Sequence, residues 1–423
     1  MDTPLVLPTP GQLAWQRMRI GVFFHFGLNT FHGLEWGPGD IPAADFAPSD
    51  LDADQWVSTA KDLGAEYVVI TAKHHDGFCL WPTSTTEYSV ASSPWRDGRG
   101  DVVAEVAAAC ERQGVRFGFY LSPWDRNAPQ YQDPAKYDDL YAEQLRELCT
   151  GYGGVSEIWF DGAGSEGHVY DWARYMEIVA EHQPEAMIFN MGSPTIRWVG
   201  NEDGLAADPV DYVVSESDFS NYTVESVAYE EALYLPPECD VSIRRGWFWA
   251  EDDGPKSLDH LLAIYYRSVG MGANLLLNLP PDTRGLIPDE DAERLRELRA
   301  ELDRRFGAPH RAVVSLVSRS DEASEWTLDL GEEREIDHLW LEEDLVDGQR
   351  IRGFELRADD GTVLVSGARI GAQRILTFPS RRARILALRL QGDQAQLSNA
   401  TAFQAGTSHV PEVAYLASTD APA

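Results

Sequence analysis

Residues 67–78 read YVVITAKHHDGF, and this stretch decides which class of fold the chain adopts. It opens with an apolar run, residues 67–70, that is typical of a strand buried on both of its faces. Directly afterwards come His74, His75 and Asp76, whose side chains can bond ligands or move protons. In proteins built from parallel strands, such side chains collect at the carboxyl ends of the strands. The stretch therefore predicts a parallel sheet with a functional site at that edge.

The same alternation of strand and amphipathic helix continues on both sides of this stretch, from residue 18 to about residue 307. Several helical segments follow an aspartate and end at a glycine, the usual residues at the two ends of a helix. Alternation of this kind over roughly 250 residues predicts a (β/α)-barrel, irregular near residues 200–255, with a doubly wound sheet as the alternative. The predicted strands are RIGVFFHFG, EYVVITAK, VRFGFYLS, SEIWFDG, AMIFNMG, DYVVSES and ANLLLNLP.

The pattern changes after a last long helix, which is predicted over residues 289–307. Short segments that alternate apolar and polar residues then follow one another, separated by turns rich in Gly, Asp and Ser. This pattern predicts an antiparallel β-sandwich. We therefore predict two domains, a catalytic (β/α)-barrel over residues 1–308 and a C-terminal β-sandwich over residues 309–423. We expect the sandwich to support the barrel rather than to bind sugar.

Composition excludes several classes of partner. The net charge of −34 and the isoelectric point near 4.5 argue against a nucleic-acid backbone or an anionic membrane, and no apolar run approaches the roughly 20 residues that cross a bilayer. The four cysteines are scattered without metal-ligand spacing, so we predict neither a metal nor another cofactor. The N-terminus lacks the features of a secretory leader, which predicts a cytoplasmic protein or a secreted chain already trimmed. The sequence does not indicate an oligomeric state.

Aromatic, histidine and carboxylate residues recur at the predicted strand ends and in the loops after them. Packing of a core does not require this combination, whereas sugar recognition does. Aromatic faces stack on the apolar faces of sugar rings, and polar side chains bond the hydroxyls, so the pattern predicts a carbohydrate cleft at the mouth of the barrel. The strand-end residues are His25, His74, His75, Tyr120, Trp159 and Asp161, and the loop after the first strand adds Glu35 and Trp36.

Hydrolysis of a glycosidic bond usually requires two carboxyl groups, one near the anomeric carbon and one near the leaving oxygen. Asp161 is the best candidate for the first, because a buried strand carries it directly into the predicted mouth. Glu202, in the loop RWVGNEDG at residues 197–204, is the most suggestive candidate for the second. The residues alone leave other carboxylates open for this second role, namely Glu157, Glu216, Glu238 and Glu251.

Seven motifs, taken together, resemble glycoside hydrolase family 29, the retaining α-L-fucosidases. They lie in order between about residues 10 and 305, and the combination is far more specific than any single piece. Two of them, at residues 122–127 and 197–204, are most similar to the branch that cleaves α-1,3- and α-1,4-linked fucose from Lewis-type glycans. The motifs are FFHFGLNTF, EWGPGD, ITAKHHDGFCLWPT, FYLSPWDRN, EIWFDGA, RWVGNEDG and LLLNLPPD.

The resemblance implies a role for each candidate residue. Asp161 matches the family's nucleophile, and Glu202 matches the acid/base of the α-1,3/4-specific branch. A retaining mechanism then implies carboxyl groups ~5–5.5 Å apart and a raised pKa for Glu202. After Glu202 the chain reads LAADPVDY where that branch often has Thr-x-Trp, so we expect the side that receives the leaving group to differ. The residues implied to hold the fucose ring are His25, Glu35, Trp36, His74, His75, Tyr120, Trp159 and Trp247.

Three other functions stay open at this point. The first is an α-L-fucosidase of broad specificity that acts on aryl and α-1,2-linked fucosides. The second is a metal-dependent hydrolase on the same barrel, with His25, His74, His75 and Asp161 as ligands. The third is a carbohydrate-binding protein without catalysis, which would keep the aromatic residues but would not need Asp161. The partner that we expect is a fucosylated oligosaccharide or glycoconjugate.

Overall fold

The computed structural model describes residues 6–218 and 226–413. The predicted outer limits of the two domains, residues 1 and 423, lie outside the described residues. The strands are β1 Ile20–Phe24, β2 Tyr67–Lys73, β3 Arg116–Leu121, β4 Glu157–Trp159, β5 Met187–Phe189, β6 Arg197–Trp198, β7 Val213–Asp218, β8 Ser226–Tyr234, β9 Pro237–Ser242, β10 Asn274–Asn278, β11 His310–Arg311, β12 Val313–Arg319, β13 Ala323–Glu343, β14 Gly353–Ala358, β15 Val363–Gly367, β16 Arg374–Gln391 and β17 Leu397–Phe403. The α-helices are α1 Pro10–Met18, α2 Leu28–His32, α3 Ala53–Leu63, α4 Val102–Gln113, α5 Pro134–Gly151, α6 Trp172–His182, α7 Leu258–Arg267 and α8 Asp289–Phe306.

Eight parallel strands form the barrel that the sequence predicts, in the spatial order β5-β4-β3-β2-β1-β10-β9-β6. A parallel bridge between Phe189 and Ile196 connects the two edges of this sheet. Large apolar and aromatic side chains fill the interior, among them Phe23, Tyr67 and Leu276. A second and larger apolar core lies between the strands and the outer helices. In the part of the chain that the structure describes, no helix is long and apolar enough to cross a membrane.

The strands between residues 197 and 242 differ from the prediction. The segment DYVVSES forms β7, which pairs antiparallel with β8 in a separate two-stranded sheet, so its prediction as a barrel strand is wrong. Strands β6 and β9 complete the barrel, and the sequence analysis missed both. In β9, Glu238 and Asp240 bond the indoles of barrel-interior tryptophans. Polar residues on the inner face interrupt the apolar run, and β6 has two residues, so neither segment has the pattern of a buried strand.

Helices α3 and α4 begin and end as the sequence predicts. Asp52 accepts a hydrogen bond from the backbone N–H of Gln55 at the start of α3, and Gly64 follows its end with φ of +99°. Asp101 and Gly114 occupy the corresponding positions of α4. These residues satisfy backbone groups that helix ends would leave unpaired, and the left-handed glycines turn the chain back towards the next strand.

Helix α1 closes the amino end of the barrel. A capping box joins Thr9 and Gln12 at the start of this helix. Farther along, Trp15 is buried in the barrel interior, and its indole N–H donates to Glu157 Oε2 at 2.8 Å. Because this end is filled, a ligand enters the barrel from the carboxyl ends of the strands.

The C-terminal strands form the predicted antiparallel β-sandwich. The long strands β13 and β16 contribute to both layers, since β13 pairs with β12 along its first part and with β17 along its second. A separate apolar core, which includes Leu328, Leu339 and Phe354, fills the space between the layers. The last barrel helix ends at Phe306 and β11 begins at His310. The division of the chain at residue 308 stays a prediction.

Candidate active site

A cavity opens at the carboxyl ends of the barrel strands, and the empty space in it and at its open mouth amounts to about 620 Å³. All ten residues that the sequence analysis named as site residues line this cavity, although they come from distant parts of the chain. Those ten are His25, Glu35, Trp36, His74, His75, Tyr120, Trp159, Asp161, Glu202 and Trp247. The lining also contains Phe23, Gly162, Ala163, Phe189, Asn190, Trp198 and Asp240.

Asp161 follows strand β4 and is held by two hydrogen bonds. Its Oδ1 accepts from the backbone N–H of Ala163 at 2.8 Å, and its Oδ2 accepts from the Tyr120 hydroxyl at 3.0 Å. Burial, assisted by the charge of Asp161, raises the pKa of Tyr120 well above its usual value, so the phenol stays a donor. The side chain of Asp161 remains 22% exposed. Its carboxylate is therefore oriented by the protein and still accessible from the cavity.

The tautomer of His75 follows from its hydrogen bonds. The Ser122 hydroxyl donates to the carbonyl oxygen of Trp124 at 2.7 Å, because a carbonyl can only accept. The hydroxyl oxygen is then the acceptor for His75 Nδ1, 2.7 Å away, so Nδ1 carries the proton. Burial lowers the pKa of His75 to about 4, against the opposing effect of the Asp161 charge. The neutral ring therefore has an acceptor nitrogen, Nε2, 3.5 Å from Asp161 Oδ2.

His25 and His74 add two more neutral rings to the same wall. His25 Nδ1 lies 2.9 Å from Asn278 Oδ1, and the amide nitrogen of Asn278 donates to the carbonyl oxygen of Trp247. This arrangement places the His25 proton on Nδ1 and leaves Nε2 as an acceptor. Burial lowers the pKa of His25 to about 3 and the pKa of His74 well below its usual value. Among the described residues, His74 Nδ1 is buried without a hydrogen-bond partner, as a nitrogen reserved for a ligand would be.

The loop after β1 brings Glu35 and Trp36 to the rim of the cavity. Glu35 Oε2 accepts from the backbone N–H of Trp247 at 2.8 Å, which joins this loop to the loop after β9. Trp36 packs edge-on against the ring of His75, with centroids 5.4 Å apart. The ring of Trp247 lies 5.0 Å from the ring of His25. The two tryptophans therefore supply apolar walls beside the histidines.

Two carboxyl groups of β9 hold tryptophans in this site; the sequence analysis considered Glu238 only for the acid/base role and missed Asp240. Trp159 donates its indole N–H to Glu238 Oε2 at 3.0 Å, and Trp198 donates to Asp240 Oδ1 at 2.7 Å. Asp240 also lines the cavity. Both carboxyl groups belong to β9, two positions apart, so they share its inner face. The alternation of polar and apolar residues in PECDVS was the signal that could have revealed them.

Glu202 lies in a loop that the side chain of Asn201 organises. Asn201 Oδ1 accepts from the backbone N–H groups of Asp203 and Leu205, at 3.1 and 3.3 Å. The amide nitrogen of Asn201 donates to the carbonyl oxygen of Leu205 at 2.8 Å. Burial, and secondly the charge of Glu202, raise the pKa of Asp240 well above its usual value. This shift disfavours the ionised form of Asp240 beside Glu202.

The other carboxylates considered for the acid/base role lie outside the cavity lining. Glu157 and Glu238 are fully buried in the barrel, where they interact with each other. Glu216 is exposed on strand β7, and Glu251 is exposed in the loop after β9. Among the candidates for the second carboxyl group, Glu202 is the one that lines the same cavity as Asp161.

A metal-dependent hydrolase would require side chains that converge on one ion. Across the parts of the chain that the structure describes, no three His, Cys, Asp or Glu side chains are arranged to hold a metal ion. The Nδ1 atoms of His25 and His75 are each engaged by a side chain of the protein.

Comparison with known proteins identifies the family. The model of the Alpha-L-fucosidase family matches residues 40–304. Alpha-L-fucosidase 1 of Arabidopsis thaliana is 38% identical over 416 residues, which cover 88% of this chain and 82% of the relative. A crystal structure from Bacteroides ovatus is 41% identical, has a TM-score of 0.88, and covers 97% of this chain and 76% of its own. A family 29 fucosidase of Ruminococcus gnavus, solved with fucose, is 28% identical over 95% of each chain, with a TM-score of 0.83.

The barrel, the sandwich and these matches define a glycoside hydrolase. The chain belongs to glycoside hydrolase family 29, the α-L-fucosidases, and acts on α-L-fucosides. This membership sets aside both the metal-dependent hydrolase and the carbohydrate-binding protein without catalysis.

Proposed function

We propose that the enzyme is a retaining, exo-acting α-L-fucosidase that releases terminal α-1,3- and α-1,4-linked fucose from Lewis-type oligosaccharides. The observation that carries the proposal is that Asp161 and Glu202 line one cavity together with the histidines and tryptophans described above. In the closed barrel, β4 and β6 are separated by one strand, β5. Two strand spacings amount to about 10 Å of backbone, so side chains that converge from these strands can approach the ~5–5.5 Å of a retaining pair.

In the first step of the proposed reaction, the ionised carboxylate of Asp161 attacks the anomeric carbon of fucose. The bond from this carbon to the glycosidic oxygen breaks, and Glu202 gives its proton to the departing oxygen. The products are a fucosyl ester of Asp161 and the free hydroxyl group of the shortened glycan. Tyr120 and the backbone N–H of Ala163 hold the carboxylate in the orientation that this attack requires.

In the second step, Glu202, now ionised, removes a proton from water. The water oxygen attacks the anomeric carbon, and the ester bond to Asp161 breaks. Two displacements restore the original configuration at this carbon, and both carboxyl groups return to their starting protonation states. In this mechanism Glu202 must carry a proton near neutral pH. We therefore predict that its pKa is raised.

The linkage preference rests on sequence likeness to the α-1,3/4-specific branch at residues 122–127 and 197–204. The second of these stretches includes Asn201, whose side chain organises the loop that presents Glu202 to the cavity. The alternative within the family is an enzyme of broad specificity that also cleaves aryl and α-1,2-linked fucosides. A cytoplasmic location also stays a prediction.

The test is fucose release from four substrates measured side by side: an aryl α-fucoside, 2′-fucosyllactose, 3-fucosyllactose and a Lewis trisaccharide. We expect release mainly from the last two, and none from any of them with Asp161→Ala. Rapid cleavage of the aryl α-fucoside and 2′-fucosyllactose would agree with the family but would contradict the proposed linkage preference. Full activity of Asp161→Ala would overturn the proposed mechanism.

A further inference from the structure

We propose that the C-terminal β-sandwich positions the loop of Glu202, so that this domain serves catalysis as well as stability. The proposal rests on the acid/base role proposed above for Glu202. It concerns residues 205–212, which we name the return segment because they lead the chain away from this loop.

The strand before Glu202 supplies little support for its loop. Strand β6 consists of Arg197 and Trp198, which pair with the first two residues of β9. On the other side, the bridge at Ile196 connects this part of the chain to β5. A group that transfers protons must be held within a fraction of an ångström, and so short a strand has few backbone hydrogen bonds to offer. The remaining support has to come from the chain after the loop.

The connection between β6 and β9 packs against the sandwich. Among the described residues between β6 and β9, the connection contains the hairpin β7–β8 and no α-helix. In a regular barrel, a helix would pack this connection against the sheet. Here Ala206, Val210 and Tyr212 of the return segment are buried in one apolar cluster with Leu345 of the sandwich.

Two arginines of the sandwich form ion pairs with aspartates of the return segment. Arg374 donates to both carboxylate oxygens of Asp208, at 3.1 and 2.9 Å. Arg369 donates through Nε to Asp211 Oδ1 at 2.8 Å, and its Nη2 lies 2.7 Å from the same oxygen in an ion pair. Two guanidinium nitrogens at each carboxylate restrict its orientation as well as its distance.

The backbone of the return segment is bound in the same way. Gln349 donates its amide N–H to the carbonyl oxygen of Val210 at 2.9 Å and accepts from the N–H of Tyr212 at 3.0 Å. The Tyr212 hydroxyl accepts from the N–H of Ala372 at 2.7 Å and donates to the carbonyl oxygen of Gly272 at 2.7 Å. Four residues of the sandwich, Arg369, Arg374, Gln349 and Ala372, therefore hold Asp208, Val210, Asp211 and Tyr212 on one side of the Glu202 loop.

A displacement of the return segment would also displace Glu202, because the chain near the start of this segment is closely packed. The N–H of Ala206 donates to the carbonyl oxygen of Arg267 at the end of α7, at 2.9 Å. Gly204 has a φ of +73°, and an added Cβ there would lie 2.7 Å from the side chain of Val241. The sandwich therefore acts through a connection with little room to adjust.

The double variant Asp208→Asn, Asp211→Asn removes both ion pairs with little change of shape. These side chains are 50% and 44% exposed, so loss of the pairs costs little global stability. For 3-fucosyllactose, whose leaving sugar needs a proton, we expect kcat/KM to fall by about tenfold or more. For 2-chloro-4-nitrophenyl α-L-fucoside, whose leaving group departs unprotonated, we expect kcat/KM within about threefold of the wild type. A purely structural role would lower both values together with Tm.

The matched control breaks another contact between the two domains at the opposite end of the barrel. Arg19, directly before β1, pairs with Glu342 of the sandwich. With Glu342→Gln, we expect both substrates to keep their kcat/KM within about twofold, because this partly buried pair lies away from the cavity lining.

Glu202→Ala in the same assay separates the two proposals. Selective loss on 3-fucosyllactose with Glu202→Ala and with the double variant supports the positioning role. Selective loss with Glu202→Ala alone, and a double variant that behaves like Glu342→Gln, overturns the positioning role and leaves the proposed function standing. If Glu202→Ala loses no more kcat/KM on 3-fucosyllactose than on the aryl fucoside, both the acid/base role of Glu202 and the positioning role of the sandwich are wrong. If the double variant does not fold, the single variants Asp208→Asn and Asp211→Asn take its place. For each of them, the loss of kcat/KM on 3-fucosyllactose is compared with the loss on the aryl fucoside.

Discussion

The phenolic hydroxyl of Tyr120 donates a hydrogen bond to Oδ2 of Asp161 across 3.0 Å. Tyr120 belongs to β3, and Asp161 comes two residues after the end of the neighbouring strand β4. Tyr120 pairs with Trp159 at the end of β4, so the pairing of the sheet brings Tyr120 close to Asp161. The backbone N–H of Ala163 holds the other carboxylate oxygen at 2.8 Å. The carboxylate is therefore oriented before a substrate binds, as the proposed nucleophile requires.

Removing this hydrogen bond should slow the enzyme without abolishing catalysis. For Tyr120→Phe we expect kcat/KM on 3-fucosyllactose to fall about 10- to 100-fold, since a hydrogen bond to a charged group contributes about 1.5–3 kcal/mol. Tyr131→Phe is the matched control, because the hydroxyl of Tyr131 bonds Tyr170 and does not line the cavity. Equal kcat/KM values for the two variants would show that the hydrogen bond from Tyr120 to Asp161 does not contribute to catalysis.

The roles of the two carboxyl groups can be separated by the configuration of an azide product. With Asp161→Ala and an activated aryl α-fucoside, we expect azide to displace the leaving group directly and give β-fucosyl azide. With Glu202→Ala, azide should attack the fucosyl ester of Asp161 and give α-fucosyl azide. Product analysis by NMR distinguishes the two anomers. The same anomer from both variants would contradict the assignment.

The buried carboxyl group of Glu157 should make stability depend on pH. Burial, and secondly the charge of Glu238, raise the pKa of Glu157 well above its usual value. A raised folded-state pKa contributes stability that is present below the unfolded-state value near 4.5 and is lost as pH rises through the folded-state pKa. The wild type should therefore lose stability relative to Glu157→Gln above pH 4.5, by at most about 1.4 kcal/mol per pH unit.

Urea unfolding of wild type and Glu157→Gln at several pH values between 4.5 and 8.5 measures this difference. Because Glu157 does not line the cavity, we expect kcat/KM to stay within about threefold of the wild type, a range typical of changes away from the site. A difference in unfolding free energy that does not vary with pH would refute the raised pKa.

The cavity histidines should stay neutral throughout the working range of pH. The pKa values of His25 and His75 are lowered to about 3 and about 4, first of all by burial, and that of His74 is lowered well below its usual value. In a nitrogen-15 NMR titration, we expect these three rings to show no protonation between pH 5 and pH 8. A midpoint inside that range for any of them would contradict the neutral acceptor role described here.

The same shifts have a consequence for acid stability. An unfolded chain protonates its histidines near pH 6.5, whereas folded His75 binds a proton near pH 4. Its contribution to stability is therefore present above pH 6.5 and lost as pH falls from 6.5 to about 4. In urea unfolding over this range, His75→Gln should lose less stability than the wild type. Equal losses would show that His75 titrates alike in both states.

Local patterns were enough to predict most of the barrel. The strands that end near His25, His74, Tyr120 and Asp161 have continuous apolar runs, and such runs mark buried parallel strands without knowledge of the partners. The pattern was insufficient in the segment DYVVSES, where a strand-like run forms an outer hairpin. Alternation in sequence shows that a strand can form, whereas the sheet that it joins depends on distant residues.

The candidates for the second catalytic carboxyl group also depend on distant residues that a local pattern does not reveal. Glu202 was the most suggestive candidate for the second catalytic group, and the residues alone left Glu157 and Glu238 open. The structure places Glu202 in the lining of the cavity and the other two inside the barrel, where Trp15 and Trp159 bond them. Asp240 entered the site unforeseen, because it lies on a strand without an apolar run.

The sequence by itself determined the succession of strands and helices, the change from barrel to sandwich, and the polar residues that stand at the strand ends. These features depend on periodicity and on caps, which act between residues close together in the chain. Only the tertiary structure decided which carboxyl groups share the cavity, how Asp161 is oriented, and that the sandwich binds the return segment. Each of these depends on contacts between residues far apart in sequence, such as Arg374 and Asp208, and no local pattern specifies such contacts.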